Sequence, residues 1–584
     1  MNASTIRLFN AVQISTLNTL PHPDDLVERT IRNGYILDPH IVPTTALLND
    51  IESTIGYDPN AAFHKSWSFI KDTPLETLFL QQILHYITTY GFEYTNETVF
   101  IPHEQLEVPE LKSDIPLRVI RGLTKPEILD KIISLGSGVA LHQDTLNDLI
   151  SIIQINRYNP NFVPKIKNRE LKALLTDLYD LVPTEPLEFL RYLITKLTDE
   201  SLLIKNDYLI TKIKEADGKF LDTLLKKAPT NLSSIFLRHK PIFLALKSIS
   251  RNKTYFNQLR KWANKTHKPL HPDYLNSVTA QIKFNILNTR VLQDRLKAST
   301  IQRDIRLAQA LKYRELAPKS IVYRVRNGRG HATDFSWEGS VEAPLHFVEQ
   351  SIVSKLKNGS PLYVPEGITY ALPSTEKQFT GNFPNGTHIS VPENVIVGIW
   401  WKNKDRPIDL DLSAISTSGK VGWDGSYRNE DILFSGDITS APTGASELFH
   451  IKKEVPPYVL YVNYYNHTPE SPIPAKIFVA HDTPKNLSQN YVVDPNKIIA
   501  EAEIIVTQKQ TILGLIADSG FYFANISIGT SITSGANQKQ ALEYLTAHVR
   551  STIPLPNTTT KKTDDSIDLS PKTLNKTSIL GLLK

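Results

Sequence analysis

Helical periodicity dominates residues 123–317 of the chain. Apolar residues recur there every three or four positions, which places them on one face of a helix. Leu187, Leu190 and Ile194 share such a face behind Thr184, a residue type that caps helix starts. Proline separates the successive stripes. The pattern predicts helices over 126–135, 145–155, 168–181, 185–197, 217–226, 234–249, 254–264 and 273–316. Together they indicate a helical array or bundle.

The apolar pattern changes to the alternation of β-strands after residue 318. A helix is predicted over 343–356, and strands follow at intervals with glycine, proline and asparagine between them, which is typical of a sandwich. The predicted strands cover 362–364, 387–391, 395–401, 409–414, 447–451, 458–465, 475–480 and 502–507, with two more in 513–528. A last helix is predicted over 539–551.

These patterns predict an α+β multidomain protein in which an α-helical N-terminal half precedes a β-sandwich domain. Residues 1–122 form a mostly helical region, with the clearest amphipathic stripe over 73–87. Residues 123–317 form a helical domain with a basic C-terminal part, and 318–550 form the sandwich. Residues 551–584 are rich in Thr, Lys, Ser and Asp, so we expect a flexible tail.

One predicted strand carries acidic side chains at alternate positions. Asp409, Asp411 and Ser413 project from the same face of that strand, and Leu410 and Leu412 from the other. Aspartate is disfavoured in strands, so this face is either solvated or holds a cation. Further carboxylates follow in and beside glycine-containing loops. Hard oxygen donors gathered in this way favour Ca²⁺. The candidate metal ligands are Asp409, Asp411, Asp437, Asp424 and Glu447.

The order of motifs around this strand resembles the TerD domain of tellurium-resistance and stress-response proteins. A strand ending VGIWW at Trp401 is followed by DLDLS (409–413), by GK (419–420) and by SGD (435–437). The resemblance covers about residues 390–480. It implies a Ca²⁺-binding β-sandwich with one ion site. A second site is not expected, because Lys402 stands where the family carries aspartate and only Glu447 follows in place of an acidic run.

Composition removes several other classes of site. The chain has 584 residues, of which 41% are hydrophobic and 21% charged, so it is a globular protein with more than one core. It has no cysteine, which excludes disulfides, thiolate metal sites and cysteine nucleophiles. No targeting segment or stretch of 18 apolar residues is recognisable, so we expect a cytoplasmic protein without a membrane partner.

The basic charge is concentrated in one segment. Residues 251–329 hold 18 Lys and Arg against four acids, although the whole chain carries a net charge of only +5. Such a segment is either a solvated surface or a binding site for the phosphate backbone of RNA or another nucleic acid. Aromatic rings between the charges could stack on bases. The candidate nucleic-acid contacts are Arg290, Lys297, Arg303, Arg306, Trp262 and Tyr313.

The function predicted first is a non-enzymatic, Ca²⁺-binding, TerD-like protein of stress response or assembly. No catalytic constellation stands out from its structural alternative. The helical half would then contact a protein partner or mediate self-assembly. Two alternatives stay open: a nucleic-acid-binding protein that uses residues 251–329, and a structural or assembly protein of a phage or mobile element. In the latter, the terminal SILGLLK could dock on a partner.

Overall fold

The structure is a computed structural model of the full chain. It describes residues 3–15, 22–55, 118–202, 207–268, 273–324, 330–356, 360–442, 444–468, 471–489, 491, 493–526, 538–571 and 574–583, with a few short pieces within 74–99. Most of the helix predicted over 73–87 lies outside the described residues.

Helices are concentrated before residue 356. The described helices are α1 (Ala3–Phe9), α2 (Asp24–Arg32), α3 (Thr45–Ile55), α4 (Lys125–Leu135), α5 (Gln143–Asn156), α6 (Arg169–Leu178), α7 (Pro186–Thr198), α8 (Asp207–Glu215), α9 (Gly218–Leu225), α10 (Lys240–Ile249), α11 (Lys253–Thr266), α12 (Val278–Lys283), α13 (Thr289–Lys297), α14 (Ile301–Glu315), α15 (Glu342–Lys355), α16 (Gln538–Arg550) and α17 (Lys576–Leu580).

Strands are concentrated between residues 362 and 523. The described strands are β1 (Ala11–Ile14), β2 (Tyr35–Leu37), β3 (Tyr94–Thr95), β4 (Thr98–Val99), β5 (Arg118–Thr124), β6 (Ser320–Arg324), β7 (Gly330–Asp334), β8 (Leu362–Tyr363), β9 (Ile368–Thr369), β10 (Phe379–Thr380), β11 (Phe383–Pro384), β12 (His388–Ser390), β13 (Val395–Trp401), β14 (Leu410–Ser416), β15 (Gly419–Gly422), β16 (Ile432–Phe434), β17 (Ala445–Ile451), β18 (Tyr458–Tyr464), β19 (Ile473–His481), β20 (Ile498–Val506), β21 (Gln510–Ile516), β22 (Gly520–Phe523), β23 (Thr558–Thr559) and β24 (Ile567–Asp568). The predicted α+β architecture is therefore confirmed.

Two antiparallel sheets dominate the described C-terminal half. One has the strand order β15-β14-β18-β21-β22-β12-β9 and the other β16-β17-β13-β19-β20. Ile399, Leu412 and Leu460 are fully buried members of the core that the strands share. Helix α16 packs on the opposite side of β18, where Leu545 contacts the cluster that contains Val459. The alternation along these strands therefore separates two apolar layers.

Helix α14 ends a stretch that the sequence pattern predicts as one helix over 273–316. That prediction is wrong, because a 3-10 turn and helices α12, α13 and α14 divide the stretch. Asn285 adopts a left-handed backbone conformation (φ 53°) just after α12, and asparagine tolerates that region better than most residues. Asn288 then caps α13 by accepting a hydrogen bond from the backbone N–H of Val291. Two asparagines thus account for the break between α12 and α13.

The first 122 residues contain more than helices. Strand β5 lies between β1 and β2, and both pairings are parallel. Helices α1, α2 and α3 connect or flank these strands, and Ile51 and Ile120 are buried in their common core. The prediction of a mostly helical region is therefore incomplete, because the short strands lack the length that makes alternation recognisable.

The prediction of a flexible tail is wrong. Strands β23 and β24 pair in parallel with the two sides of β8. Leu569, Ile579 and Leu583 are buried in the main core. The hydroxyl of Tyr370 donates a hydrogen bond to the carbonyl of Leu569 at 2.5 Å. The apolar side chains of SILGLLK are thus buried in the core of the same chain, which contradicts the prediction that this segment docks on a partner.

Across the described part of the chain, every helix falls short of the length and apolar character that a bilayer span requires.

Candidate metal centre

Three aspartates of the sandwich approach one another. Asp409 immediately precedes β14, Asp411 lies within it, and Asp437 follows β16. Each offers a carboxylate oxygen, and these oxygens lie within 4.8 Å of one another. Ca²⁺ binds oxygen at about 2.3–2.6 Å, so ligands on opposite sides of one ion are roughly 4.6–5.2 Å apart. The spacing therefore suits three ligands of a single Ca²⁺.

Gly436 brings Asp437 to this position. Its φ of 114° lies in the region that favours glycine. A Cβ atom at residue 436 would also lie 2.9 Å from Cγ of Gln489. The Gln489 side chain donates a hydrogen bond at 2.6 Å to the carbonyl of Asp437. A tight loop held by Gln489 thus directs Asp437 towards β14.

Glu447 holds the backbone on both sides of the cluster. This side chain of β17 is fully buried. Its Oε2 accepts a hydrogen bond from the N–H of Leu412 at 2.6 Å, and its Oε1 accepts one from the N–H of Ile438 at 2.9 Å. These N–H groups belong to the residues that follow Asp411 and Asp437. The structure therefore gives this predicted ligand a positioning contact with the backbone.

The acidic face of β14 is buried, so the solvated-face alternative is wrong. Asp409 is 9% exposed and Asp411 is 2% exposed. The amide of Asn463 donates a hydrogen bond to Oδ2 of Asp411 at 3.0 Å. Oδ1 of Asp409 and the hydroxyl of Ser413 are buried and have no hydrogen-bond partner among the described residues. Buried oxygen atoms without donors favour a cation.

Burial and mutual repulsion raise the pKa values of the cluster. The pKa of Asp411 is raised to about 8, first by burial and then by the charge of Asp409. Burial, followed by the charge of Asp437, raises the pKa of Asp409 to about 6. Burial also raises the pKa of Asp437 and, well above its usual value, that of Glu447. A divalent cation would stabilise the ionised carboxylates that burial disfavours.

Asp424 interacts with other residues than the three aspartates. Its carboxylate forms an ion pair with Lys420, whose ammonium group also lies 5.7 Å from the centroid of the Trp423 ring. Within the described part of the chain, the cluster of potential ligand atoms contains Asp409, Asp411 and Asp437 but not Asp424. Asp424 is therefore a suitable control position for the three aspartates.

Asn463 and Gln489 are site residues that sequence analysis missed. Asn463 lies on β18 directly opposite Asp411, and Gln489 comes from a loop 52 residues after Asp437. The alternation along β18 could have placed Asn463 on the same side of its sheet as Asp411. No local signal links Gln489 to the site, because its contact depends on the path of a loop.

The candidate nucleic-acid residues differ in their exposure and in their contacts. Tyr313 is 7% exposed and donates a hydrogen bond to the carbonyl of Ser320 at 2.8 Å, so its ring is not available for stacking on bases. Trp262 is 55% exposed on α11, with the ammonium of Lys265 5.4 Å from its ring centroid. Of the two aromatic residues predicted to contact nucleic acid, only Trp262 therefore has an exposed ring.

The four basic candidates divide into two groups. Arg303 and Arg306 of α14 line the same cleft. Arg290 and Lys297 lie on α13 and do not line that cleft, and Lys297 pairs with Asp294 at 3.2 Å. Arg303 and Arg306 therefore contribute to this cleft, whereas Arg290 and Lys297 do not.

No protein-family model matches the chain, no curated protein matches it, and no solved structure matches it. The resemblance to the TerD domain thus stays a prediction that rests on the sequence motifs.

Proposed function

We propose that the β-sandwich is a TerD-like module that binds one Ca²⁺ and that the protein acts in stress response or assembly without catalysing a reaction. The observation that supports this most directly is the convergence of Asp409, Asp411 and Asp437 in a buried position. The helical region would supply the surface for a protein partner or a second copy.

Oxygen chemistry and burial favour Ca²⁺ over other ions. The three aspartates offer carboxylate oxygens, and Ser413 adds a buried hydroxyl. Zn²⁺ prefers histidine and cysteine ligands. Mg²⁺ gives up its water reluctantly and usually keeps several water ligands, whereas Ca²⁺ accepts irregular sets of protein oxygens. A site this poorly exposed to solvent therefore suits Ca²⁺ better than Mg²⁺.

Calorimetric titration of the chelator-treated full chain with Ca²⁺ tests the proposal. We expect one site and a release of protons, since Asp409 and Asp411 have pKa values of about 6 and 8 before binding. Proton release is measured by repeating the titration in buffers of different ionisation enthalpy. The variant D409N/D411N should lose the binding heat.

The matched control is Asp424→Asn, which removes a neighbouring carboxylate outside the cluster and should leave the affinity unchanged. A wild-type protein that shows neither binding heat nor a higher unfolding temperature in Ca²⁺ would refute the proposal. Equal loss of binding in the control would show that the effect of D409N/D411N is not specific to the three aspartates.

A further inference from the structure

A cleft of about 1000 Å³ opens in the helical region, far along the chain from the aspartates. One wall contains the loop around Gly138 and the start of α6. The other contains the first turns of α14. Small-molecule sites of proteins are concave and typically span about 300–1,000 Å³, so the cleft has room for a ligand of nucleotide size.

Basic side chains line both walls of the cleft. Lys167 and Arg169 come from the α6 wall, and Arg306 comes from α14. Among the described residues, none of these three forms an ion pair. The cleft also contains Arg303, whose charge is compensated by its ion pair with Asp273. Glu170 is the remaining acidic residue of the lining, so positive charge predominates.

An unsatisfied donor lies in the same wall. Gln302 lines the cleft and is 6% exposed, and its Nε2 has no hydrogen-bond partner in the described part of the chain. A buried amide donor without an acceptor costs free energy until something accepts its hydrogen bond. An oxygen of a ligand in the cleft could accept it after a rotation of the terminal amide.

We propose that this cleft binds a phosphorylated small molecule, with Lys167, Arg169 and Arg306 contacting the phosphate groups and Gln302 donating to a ligand oxygen. Arginine presents donors in a geometry that matches phosphate oxygens. Asn168 already occupies the backbone N–H groups of Glu170 and Leu171 at the start of α6. The side chains therefore supply the donors, and the helix end adds only its partial positive charge.

A small ligand fits the cleft better than a nucleic-acid chain. Single-stranded nucleic acids bind along extended basic grooves in which bases stack on aromatic rings. The residues that line this cleft include no aromatic side chain. Exposed Trp262 is not among them, and Tyr313 is buried. The basic side chains of the cleft are thus suited to a compact anion.

Equilibrium binding of ADP and of inorganic pyrophosphate to the full chain tests this proposal. The measurement is made in Ca²⁺-free buffer at two salt concentrations, so that metal bound to the nucleotide does not contribute. We expect both probes to bind, and to bind more weakly at high salt. Each of the variants Arg169→Gln and Arg306→Gln should weaken binding about tenfold or more, because each removes a charge-assisted hydrogen bond. Arg306→Lys should restore part of the affinity.

Arg290→Gln is the matched control, since Arg290 is an exposed arginine of the same basic segment outside the cleft. It should leave the affinity unchanged, and all variants should keep the wild-type unfolding temperature without ligand. Failure of both probes to bind would overturn the proposal. It would also be overturned by tighter binding of a single-stranded oligonucleotide through the same arginines, or by equal losses in Arg290→Gln.

Discussion

Two buried carboxylate sites of this protein differ in how their charge is compensated. In the helical region, Asp304 is fully buried and accepts hydrogen bonds from the ammonium of Lys355 at 2.5 Å and the hydroxyl of Ser351 at 2.8 Å. In the sandwich, Asp409 and Asp411 are nearly as buried. No lysine or arginine of the described residues forms an ion pair with either of them.

Removing a carboxylate from water is expensive unless a counter-charge and hydrogen bonds replace the lost hydration. Asp304 obtains both from its own chain, and its site is therefore complete without a ligand. At Asp409 and Asp411, no lysine or arginine of the described residues offsets burial and the charge of neighbouring acids. The pKa values of both carboxyl groups are therefore raised. The difference teaches that burial of an acid does not by itself define a ligand site, because a buried carboxylate can be compensated by its own chain.

The largest effect is expected from removing the ammonium group of Lys355, which compensates the charge of Asp304 in the helical region. Lys355→Met leaves Asp304 buried without its positive partner, which should lower the free energy of unfolding by about 3–5 kcal/mol. Urea denaturation measures the change. Lys297→Met is the control, because the Lys297–Asp294 pair is exposed and should contribute nothing measurable. Equal stability of the two variants would remove the distinction between the sites.

Asp409 and Asp411 of the sandwich should make the free energy of unfolding depend on pH in the absence of metal. A carboxyl group whose pKa is raised on folding stabilises the protein below its unfolded pKa, and that contribution is lost as the pH rises through the folded pKa. For Asp409 and Asp411 this interval runs from the usual value of 3.8 to about 6 and about 8. The shift of Asp409 alone corresponds to roughly 3 kcal/mol.

Urea denaturation in chelator at pH 5 and at pH 8 checks this expectation by comparing the wild type with D409N/D411N. Between the two pH values the wild type should lose more stability than the variant. The buried histidines, whose pKa values burial lowers, act in the opposite direction but contribute equally to both proteins. Saturating Ca²⁺ should stabilise the wild type at pH 8, because binding stabilises the ionised form. The same pH dependence in both proteins would contradict the assigned pKa shifts.

A smaller gain is expected from neutralising one member of the cluster. Asp411→Asn removes a repelling charge, and its amide oxygen can still accept the hydrogen bond from Asn463. Without Ca²⁺ at pH 8, this variant should be more stable than the wild type, because burial and the charge of Asp409 disfavour the ionised carboxylate that it replaces. With Ca²⁺ the order should reverse, since the variant has lost a ligand. Thermal unfolding with and without the ion measures both changes.

The smallest effect is expected at Asp424. Its pair with Lys420 is partly exposed, and exposed ion pairs contribute about 0–1 kcal/mol. Asp424→Asn should therefore change the stability by less than about 1 kcal/mol, with or without Ca²⁺. A loss of several kcal/mol that appears only with Ca²⁺ would instead place Asp424 among the ligands.

The sandwich was accessible to prediction because its strands are short apolar or alternating runs separated by glycine, proline and asparagine. The prediction of 395–401 matches β13 in full, and β14 differs from its prediction only at the ends. The strands of the tail escaped prediction, since β23 and β24 have only two residues each and pair with β8, which is distant in sequence. Local periodicity predicts which face of a helix or strand is apolar, but it does not predict which element packs against that face.

The aspartates were predicted from spacing, and their convergence is a property of the fold. Asp409 and Asp411 share one strand, so their proximity follows from the period of two residues. The approach of Asp437 requires the loop around Gly436. The role of Glu447 depends on the alignment of two sheets, which places its oxygens on the backbone of Leu412 and Ile438. Neither the conformation of the loop around Gly436 nor the alignment of the two sheets can be predicted from sequence spacing.

The parallel pairing of β8 with β23 and β24 has a consequence for the timing of folding. Both neighbours of Leu362 and Tyr363 lie about 200 residues further along the chain. At synthesis rates of about 5–20 residues per second, roughly 10–40 s separate the emergence of the first strand from that of its partners. During that interval the apolar surface later covered by Leu569 and Ile579 is exposed on the nascent chain, where a chaperone or a neighbouring polypeptide can reach it.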